Sequence, residues 1–332
     1  MRSSHVGSFP LSYNFNNIRR VLFDLFDIGI DVPTFPQLRS FIDIYLKPLE
    51  NLGIVENRKG IYFSSYEKLQ MAQNFNFSIE IPDAYIAMSI VKDSGLVFKG
   101  FRAPITGAFT LASRVYLSED TSRGLYATGM ANVYIVENFF KGYVSKIIDF
   151  IKDVGYSIVF FDEPSLVLLV GKRILFGWTE DTIIEILSNL AKKASGSEVG
   201  IHICGPLNKR LFDLIVQIDG IKYYSFEFYS NPKNMDILDK TLLEKYDKII
   251  SPGIVSASKP TVESIEESLN ILKRLYEKIG SRIDLVSGDC GFGGLRGLLG
   301  DEEKEYRVAL EKLRVVIEAL KHLKREFGIS IS

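Results

Sequence analysis

VGIHICGP, residues 199–206, is an apolar run that turns polar toward one end, and the fold depends on how often that shape recurs. The other runs are HVGSFP (5–10), GIDVPTFP (29–36), LVFKGFRAP (96–104), YSIVFFDEP (156–164), YYSFEFYS (223–230), KIISPGIV (248–255) and IDLVSGDCGFGG (283–294). Between these eight lie NIRRVLFDLF (17–26), VENFFKGYVSKIIDFIKDVG (136–155), DTIIEILSNLAKKA (181–194), KRLFDLIVQI (209–218), MDILDKTLLEKY (235–246) and VESIEESLNILKRLYEKIG (262–280). In them apolar residues recur at three and four while charges take the opposite face, as in amphipathic helices. Eight such units with a final helix over 301–326 predict an α/β fold, a (β/α)8 TIM barrel occupying 1–332 as one catalytic unit. A doubly wound sheet with a second domain is the competing architecture. GIVENRKGIYFSS (53–65) and LVLLVGKRILFGWT (166–179) each read as two strands about a polar, glycine-containing turn, so two hairpin insertions are expected.

The composition narrows the partners. The chain has 332 residues, 46% hydrophobic and 24% charged, with a formal net charge of -1. It is long enough for a large core, and it offers no basic patch of the kind that nucleic acid or an anionic membrane requires. The opening MRSSHVGSFPLSYNF has no apolar signal-peptide segment and no later stretch is long enough to span a bilayer, so the expected location is the cytoplasm. Without a secretion signal, the two cysteines read as metal ligands or free thiols rather than a disulfide.

The polar residues gather at one end of each run. Gly7 and Ser8 follow the first, Asp162 and Glu163 the fourth, His202 and Cys204 the fifth; Glu227 lies in the sixth, and Asp289 and Cys290 close the eighth. In a barrel, the loops after the C-terminal strand ends form the catalytic face, so residues scattered in sequence converge there. Residues two apart on a strand share a side, which lets His202 and Cys204 both face the mouth while Ile203 packs outward. One imidazole nitrogen and one thiolate suit zinc, which takes four ligands near tetrahedral geometry, and Glu227 and Cys290 would complete the set. A hydrogen-bonded core histidine beside a buried cysteine is the alternative that these residues leave open. GDCGFGGLRGLLG (288–300) is glycine-rich but has neither the P-loop nor the dinucleotide spacing, and reads as a loop around Cys290. His5 reads as a surface or capping residue and His322 as solvated.

The order of these pieces resembles the catalytic barrel of cobalamin-independent methionine synthase, within the wider group that includes uroporphyrinogen decarboxylase and the coenzyme M methyltransferases. The resemblance rests on GSFP (7–10), DEP (162–164), HxC (202–204), the strand glutamate Glu227, SPG (251–253) and DCG (289–291), and spans nearly the whole chain. It implies that His202, Cys204, Glu227 and Cys290 bind Zn2+, that Val6, Gly7 and Ser8 hold an amino-acid substrate, and that Asp162 takes its ammonium group. The acceptor implied is homocysteine, methylated to methionine.

Elementary chemistry agrees with those roles. A free thiol has a pKa of about 8.5 and is mostly protonated at neutral pH, whereas a zinc-bound thiol is deprotonated. A carboxylate is a harder ligand for zinc than thiolate, which makes Glu227 the candidate to yield when the substrate sulfur arrives. Asp162 can orient the substrate by charge-assisted hydrogen bonds. Glu163 points the other way and reads as a structural partner on the helix side.

Departures from the family pattern bear on the methyl donor. Family members that use methyltetrahydrofolate carry a second barrel N-terminal to the catalytic one, and here the first run begins at residue 5. They also have a proton-donating histidine after the seventh strand, where SPGIVSASKPTVES (251–264) offers Ser258. Removing a methyl group from a folate amine leaves a nitrogen anion that needs an acid, whereas a methylcorrinoid releases its metal centre without one. A methylated corrinoid or corrinoid protein is therefore the expected donor. In VPTFPQLR (32–39), Gln37 stands where the family has a glutamate for the substrate ammonium, which admits another small thiol such as coenzyme M. A decarboxylase-like enzyme without zinc, and a barrel that binds zinc or a corrinoid protein without turnover, are the remaining alternatives.

Overall fold

Five of the eight runs form one continuous parallel sheet, in the order β1 (Arg102–Thr106), β2 (Ile158–Asp162), β3 (Glu198–Ile203), β4 (Tyr223–Glu227) and β5 (Ile249–Gly253). The structure, a computed structural model, describes residues 1–75 and 77–330. The other three runs close the ring through single parallel bridges. Ile250 pairs with Ile283 and Gly253 with Ser287; Val286 then pairs with Ser3, Ser4 with Val32, and Thr34 with Arg102. A fully parallel ring with helices between its staves is the TIM barrel.

The sequence-expected helices pack outside the ring, at Phe15–Ile28, Lys141–Val154, Glu180–Lys193, Lys209–Ile215 and Ile265–Ile279; Glu302–Glu326 ends the fold. Several starts are fixed by side chains that satisfy otherwise orphaned backbone N–H groups. The Asn14 side chain accepts from Asn17 N, Thr179 from Thr182 N, and Asp301 from Glu303 N and Lys304 N, while Ser264 and Glu267 form a reciprocal capping box. Among the described residues, no helix is long and apolar enough to cross a membrane.

Two expectations need correction. The stretch 53–65 is the expected hairpin, with Glu56–Arg58 antiparallel to Ile61–Phe63, but 166–179 is not. Leu166–Leu169 is a short helix whose Leu166 and Leu169 are buried, and only Val170 and Ile174 form an antiparallel bridge. The apolar run there is filled by burial rather than by strand pairing. The expected helix 235–246 is likewise split into Asn234–Ile237 and Lys240–Lys245, because Asp239 turns extended and its side chain caps the second piece through Leu242 N.

Inside the ring, successive rungs differ in chemistry. Phe160, Gly200, Tyr223 and Ile249 are register partners across four strands, and with Val32, Ile158 and Leu285 they make an apolar plug. Two residues further along each strand the rung reads Asp162, His202, Ser225 and Ser251. Because strand side chains alternate, both rungs face the barrel axis. The polar rung lies at the C-terminal end, where the loops gather.

Candidate active site and metal centre

His202 enters from the polar rung, Cys204 lies two residues beyond it, and Cys290 arrives on the loop after the last stave. One ligand atom from each of the three lies within 4.8 Å of the others. The Cys204 sulfur is 3.3 Å from His202 Nε2 and 3.5 Å from the Cys290 sulfur. His202 Nδ1 is 3.0 Å from Ser225 Oγ, on the neighbouring strand of the same rung. A proton on Nδ1 donated to that hydroxyl leaves the Nε2 lone pair directed at the sulfurs, the usual way an outer partner orients a metal-binding histidine. The hydrogen bond shared by the two sulfurs holds Cys290 well below and Cys204 well above the ordinary thiol range. Two sulfurs and one imidazole form a donor set that fits zinc.

Val6, Ser8, Gln37, Asp162, His202, Cys204 and Cys290 line one small cavity of about 60 Å³. The structure thus brings together nearly all the sequence-expected site residues. Gly7 stands beside them in the left-handed region, at φ 145°, and a Cβ there would lie 2.9 Å from Gln37 Oε1. A side chain there would sit on a strained backbone and would push Gln37 aside. Ser8 is already engaged: its hydroxyl accepts from Gly293 N at 3.0 Å and its carbonyl from Phe292 N at 2.8 Å. It ties the first stave to the loop that carries Cys290. Gln37 Nε2 and Asp162 Oδ1 are buried without a protein partner, a free donor and a free acceptor in one cavity. Such pairs are costly unless a ligand or water satisfies them.

Glu227 does not join the His202, Cys204 and Cys290 cluster. Its carboxylate accepts from Asn231 Nδ2, and burial pushes its pKa up against the pull of the Gly205 backbone and that amide. It lines a wider groove of about 640 Å³ that adjoins the small cavity and is also lined by Ser258, Arg39 and Arg296. Asp289, next to Cys290, accepts the backbone N–H groups of Phe228 (3.0 Å), Tyr229 (3.1 Å) and Ser230 (2.7 Å), fixing the loop after β4. Glu163 turns away from the mouth. It accepts from Phe109 N, Thr110 N and the Thr110 hydroxyl, capping the helix Ala108–Ala112.

Arg102 was not distinguished by the sequence. Its guanidinium is wholly buried, 3.7 Å above the Phe160 ring, with one donor to the His5 carbonyl at 3.3 Å and with Nε and Nη2 unpartnered. Burial lowers its pKa to about 10 against the pull of Asp162 and Cys290, so it remains a cation. Asp162 is raised to about 6 by burial, with His202 and Arg102 opposing. The cation beneath the polar rung thus favours the charged carboxylate at neutral pH. His5 is not the surface residue expected from the sequence. It is fully buried, its Nε2 accepts from Thr34 N at 3.0 Å, and burial together with Arg102 lowers its pKa to about 3. No local pattern marks Arg102 or Ser225; strand register sets Ser225 beside His202, while Arg102 pairs with Ile158 and its buried side chain acts on Asp162 from inside the barrel.

Comparison with known proteins gives a consistent picture. A family model described as the catalytic domain of cobalamin-independent synthase matches residues 84–316. A methionine synthase of Methanothermobacter thermautotrophicus is 28% identical over 199 residues, covering 58% of this chain and 56% of the relative. The chain therefore spans just over half the length of that protein. A methionine synthase of Sulfolobus acidocaldarius is 22% identical over 296 residues, covering 87% and 79%. In three dimensions the chain is similar to a B12-independent methionine synthase from Shewanella sp. W3-18-1 in complex with selenomethionine, with a TM-score of 0.67, 15% identity and 99% of each chain covered. At that identity the likeness is one of fold.

Proposed function

The chain belongs to the cobalamin-independent synthase catalytic-domain family, and on that premise we propose that it is a zinc-dependent methyltransferase acting on a small thiol, with homocysteine as acceptor and methionine as product. The observation that carries this reading is the convergence of His202, Cys204 and Cys290 at the barrel mouth, beside a buried carboxylate, Asp162. Zinc, when bound, supplies the deprotonation that makes a thiol nucleophilic at neutral pH. His202, Cys204 and Cys290 would hold it, with Glu227 as a fourth ligand that can be displaced. Asp162 takes the substrate ammonium through a charge-assisted hydrogen bond, and Val6, Gly7 and Ser8 line the backbone wall against which the substrate lies. Gln37 offers its amide N–H to the substrate's acceptor group. Fixing the head group at one end of the cavity orients the sulfur toward the cysteines.

The transfer forms a sulfur–carbon bond and breaks the donor's bond to the methyl carbon, with the electron pair leaving on the donor. A folate nitrogen needs a proton at that moment, and Ser258, on the groove wall, is far too weak an acid to give one. A methylcorrinoid needs none, which favours a methylated corrinoid or corrinoid protein as donor. The neutral Gln37 supports a second reading, in which the acceptor is a thiol without an ammonium group, of the coenzyme M kind.

Zinc content and zinc-edge X-ray absorption with and without homocysteine test the proposal. One zinc per chain whose shell gains a sulfur on adding homocysteine is the expected result. An unchanged shell would favour the second thiol, and a protein active without metal would return it to decarboxylase-like chemistry.

A further inference from the structure

The cluster at the barrel mouth supplies three donors, one fewer than a closed tetrahedral zinc site needs. The carboxylate that could supply the fourth is close by but faces elsewhere. Asn231 Nδ2 donates to Glu227 Oε2.

That donor does not arrive by chance. The Asn231 backbone follows Phe228, Tyr229 and Ser230, whose N–H groups are all held by Asp289. Asn234, almost wholly buried, locks the two turns together. Its Nδ2 donates to the carbonyls of Gly205 (3.0 Å) and Glu227 (2.9 Å), its Oδ1 accepts from Leu207 N (2.9 Å), and its own N–H donates to the Asn231 carbonyl (3.0 Å). The loops after β3 and β4 thus form a fixed frame around Glu227, and Asn231 is the side chain in that frame that faces the carboxylate.

We propose that Asn231 is the positioning residue that holds Glu227 in its displaced orientation, so that its amide competes with the metal for the carboxylate and keeps the fourth coordination position open to the incoming thiol. This rests on the zinc-thiol reading above. Glu227 would then have two resting places, one on the metal and one on the Asn231 amide. A thiol displaces the carboxylate easily to the extent that the second place is good, as in any two-state equilibrium drawn by a ligand. Removing the Asn231 amide biases the carboxylate toward the metal.

The test compares zinc-loaded wild type, Asn231→Leu, Glu227→Ala and the double variant. Zinc affinity is read by competition with a chromophoric chelator, homocysteine affinity by calorimetry, and the resting zinc shell by X-ray absorption. For Asn231→Leu we expect tighter zinc, homocysteine binding weaker by about tenfold, as for loss of one hydrogen bond to a charged acceptor, and one more oxygen in the resting shell. All three effects should vanish in the Glu227→Ala background, the signature of a coupled pair. Equal weakening with and without Glu227 would mean that Asn231 merely supports the loop, and no change would mean that it has no part; either overturns the proposal while leaving the metal site standing. Wild-type protein that takes up no zinc would overturn the metal reading and this proposal together.

Discussion

Two neighbouring rungs of the barrel, built on the same four strands two residues apart, have opposite characters. Phe160, Gly200, Tyr223 and Ile249 leave no room: a Cβ on Gly200 would come within 2.3 Å of the Phe160 ring. Asp162, His202, Ser225 and Ser251 carry buried polar atoms, of which Asp162 Oδ1 and Ser251 Oγ have no partner. Close packing with every neighbour satisfied is what stability requires. Unsatisfied polar atoms in the next layer destabilise the fold unless a ligand or water occupies them. One rung holds the barrel together, and the other is what it holds in place.

The sharpest way to break that comparison is to remove ligands from the polar side. Cys204→Ser and Cys290→Ser should each weaken zinc binding by more than about 100-fold, since loss of an outer partner alone costs 10–100-fold, with methyl transfer lost in parallel. Metal analysis after dialysis, together with an unchanged circular dichroism spectrum, checks this. Equal zinc in wild type and both variants would refute the assignment. On the apolar side, Gly200→Val should destabilise the fold by about 3 kcal/mol through overpacking against Phe160. Urea unfolding of the metal-free protein would show it, and a midpoint within error of wild type would contradict the packing account. Ser225→Ala lies between the two. Freed from the hydroxyl, His202 should bind zinc about tenfold more weakly, with a small change in stability. The smallest effect is expected outside both rungs: Ser258→Ala should leave the transfer rate within about twofold, the range of substitutions that touch no such feature. A large loss there would reinstate proton donation at this position and with it a folate donor.

The polar ends of the runs made the metal side readable. His202 and Cys204 share a face because the strand period is two, and DCG marks Cys290 at the end of the last run. The hairpin at 56–63 was readable because its Gly60 turn separates two short polar-apolar strands. The stretch 166–179 was misread because a run of leucine and valine has no period that separates a buried helical turn from a buried strand. The break at Asp239 was hidden because a capping aspartate inside an amphipathic pattern looks like one more surface charge. Arg102 and Ser225 carry no local signal at all. Their roles depend on which strands adjoin and how far they are staggered, and that information is spread over the whole ring.

The ring is not equally strong all the way round. The strands β1 to β5 share full ladders, whereas the staves near residues 3–8, 32–37 and 283–287 are joined to their neighbours by isolated bridges. In hydrogen–deuterium exchange, the five laddered strands should open together and slowly, and the seam should exchange first, as a separate cooperative unit. His202 and Cys204 lie on or just beyond the slow part, while Val6, Gly7, Ser8, Gln37 and Cys290 lie on or next to the seam. The candidate site is therefore divided between the laddered strands, which present Asp162, His202 and Cys204, and the seam, which carries Val6, Gly7, Ser8, Gln37 and Cys290. Opening along that seam would widen the cavity while His202 and Cys204 keep their places.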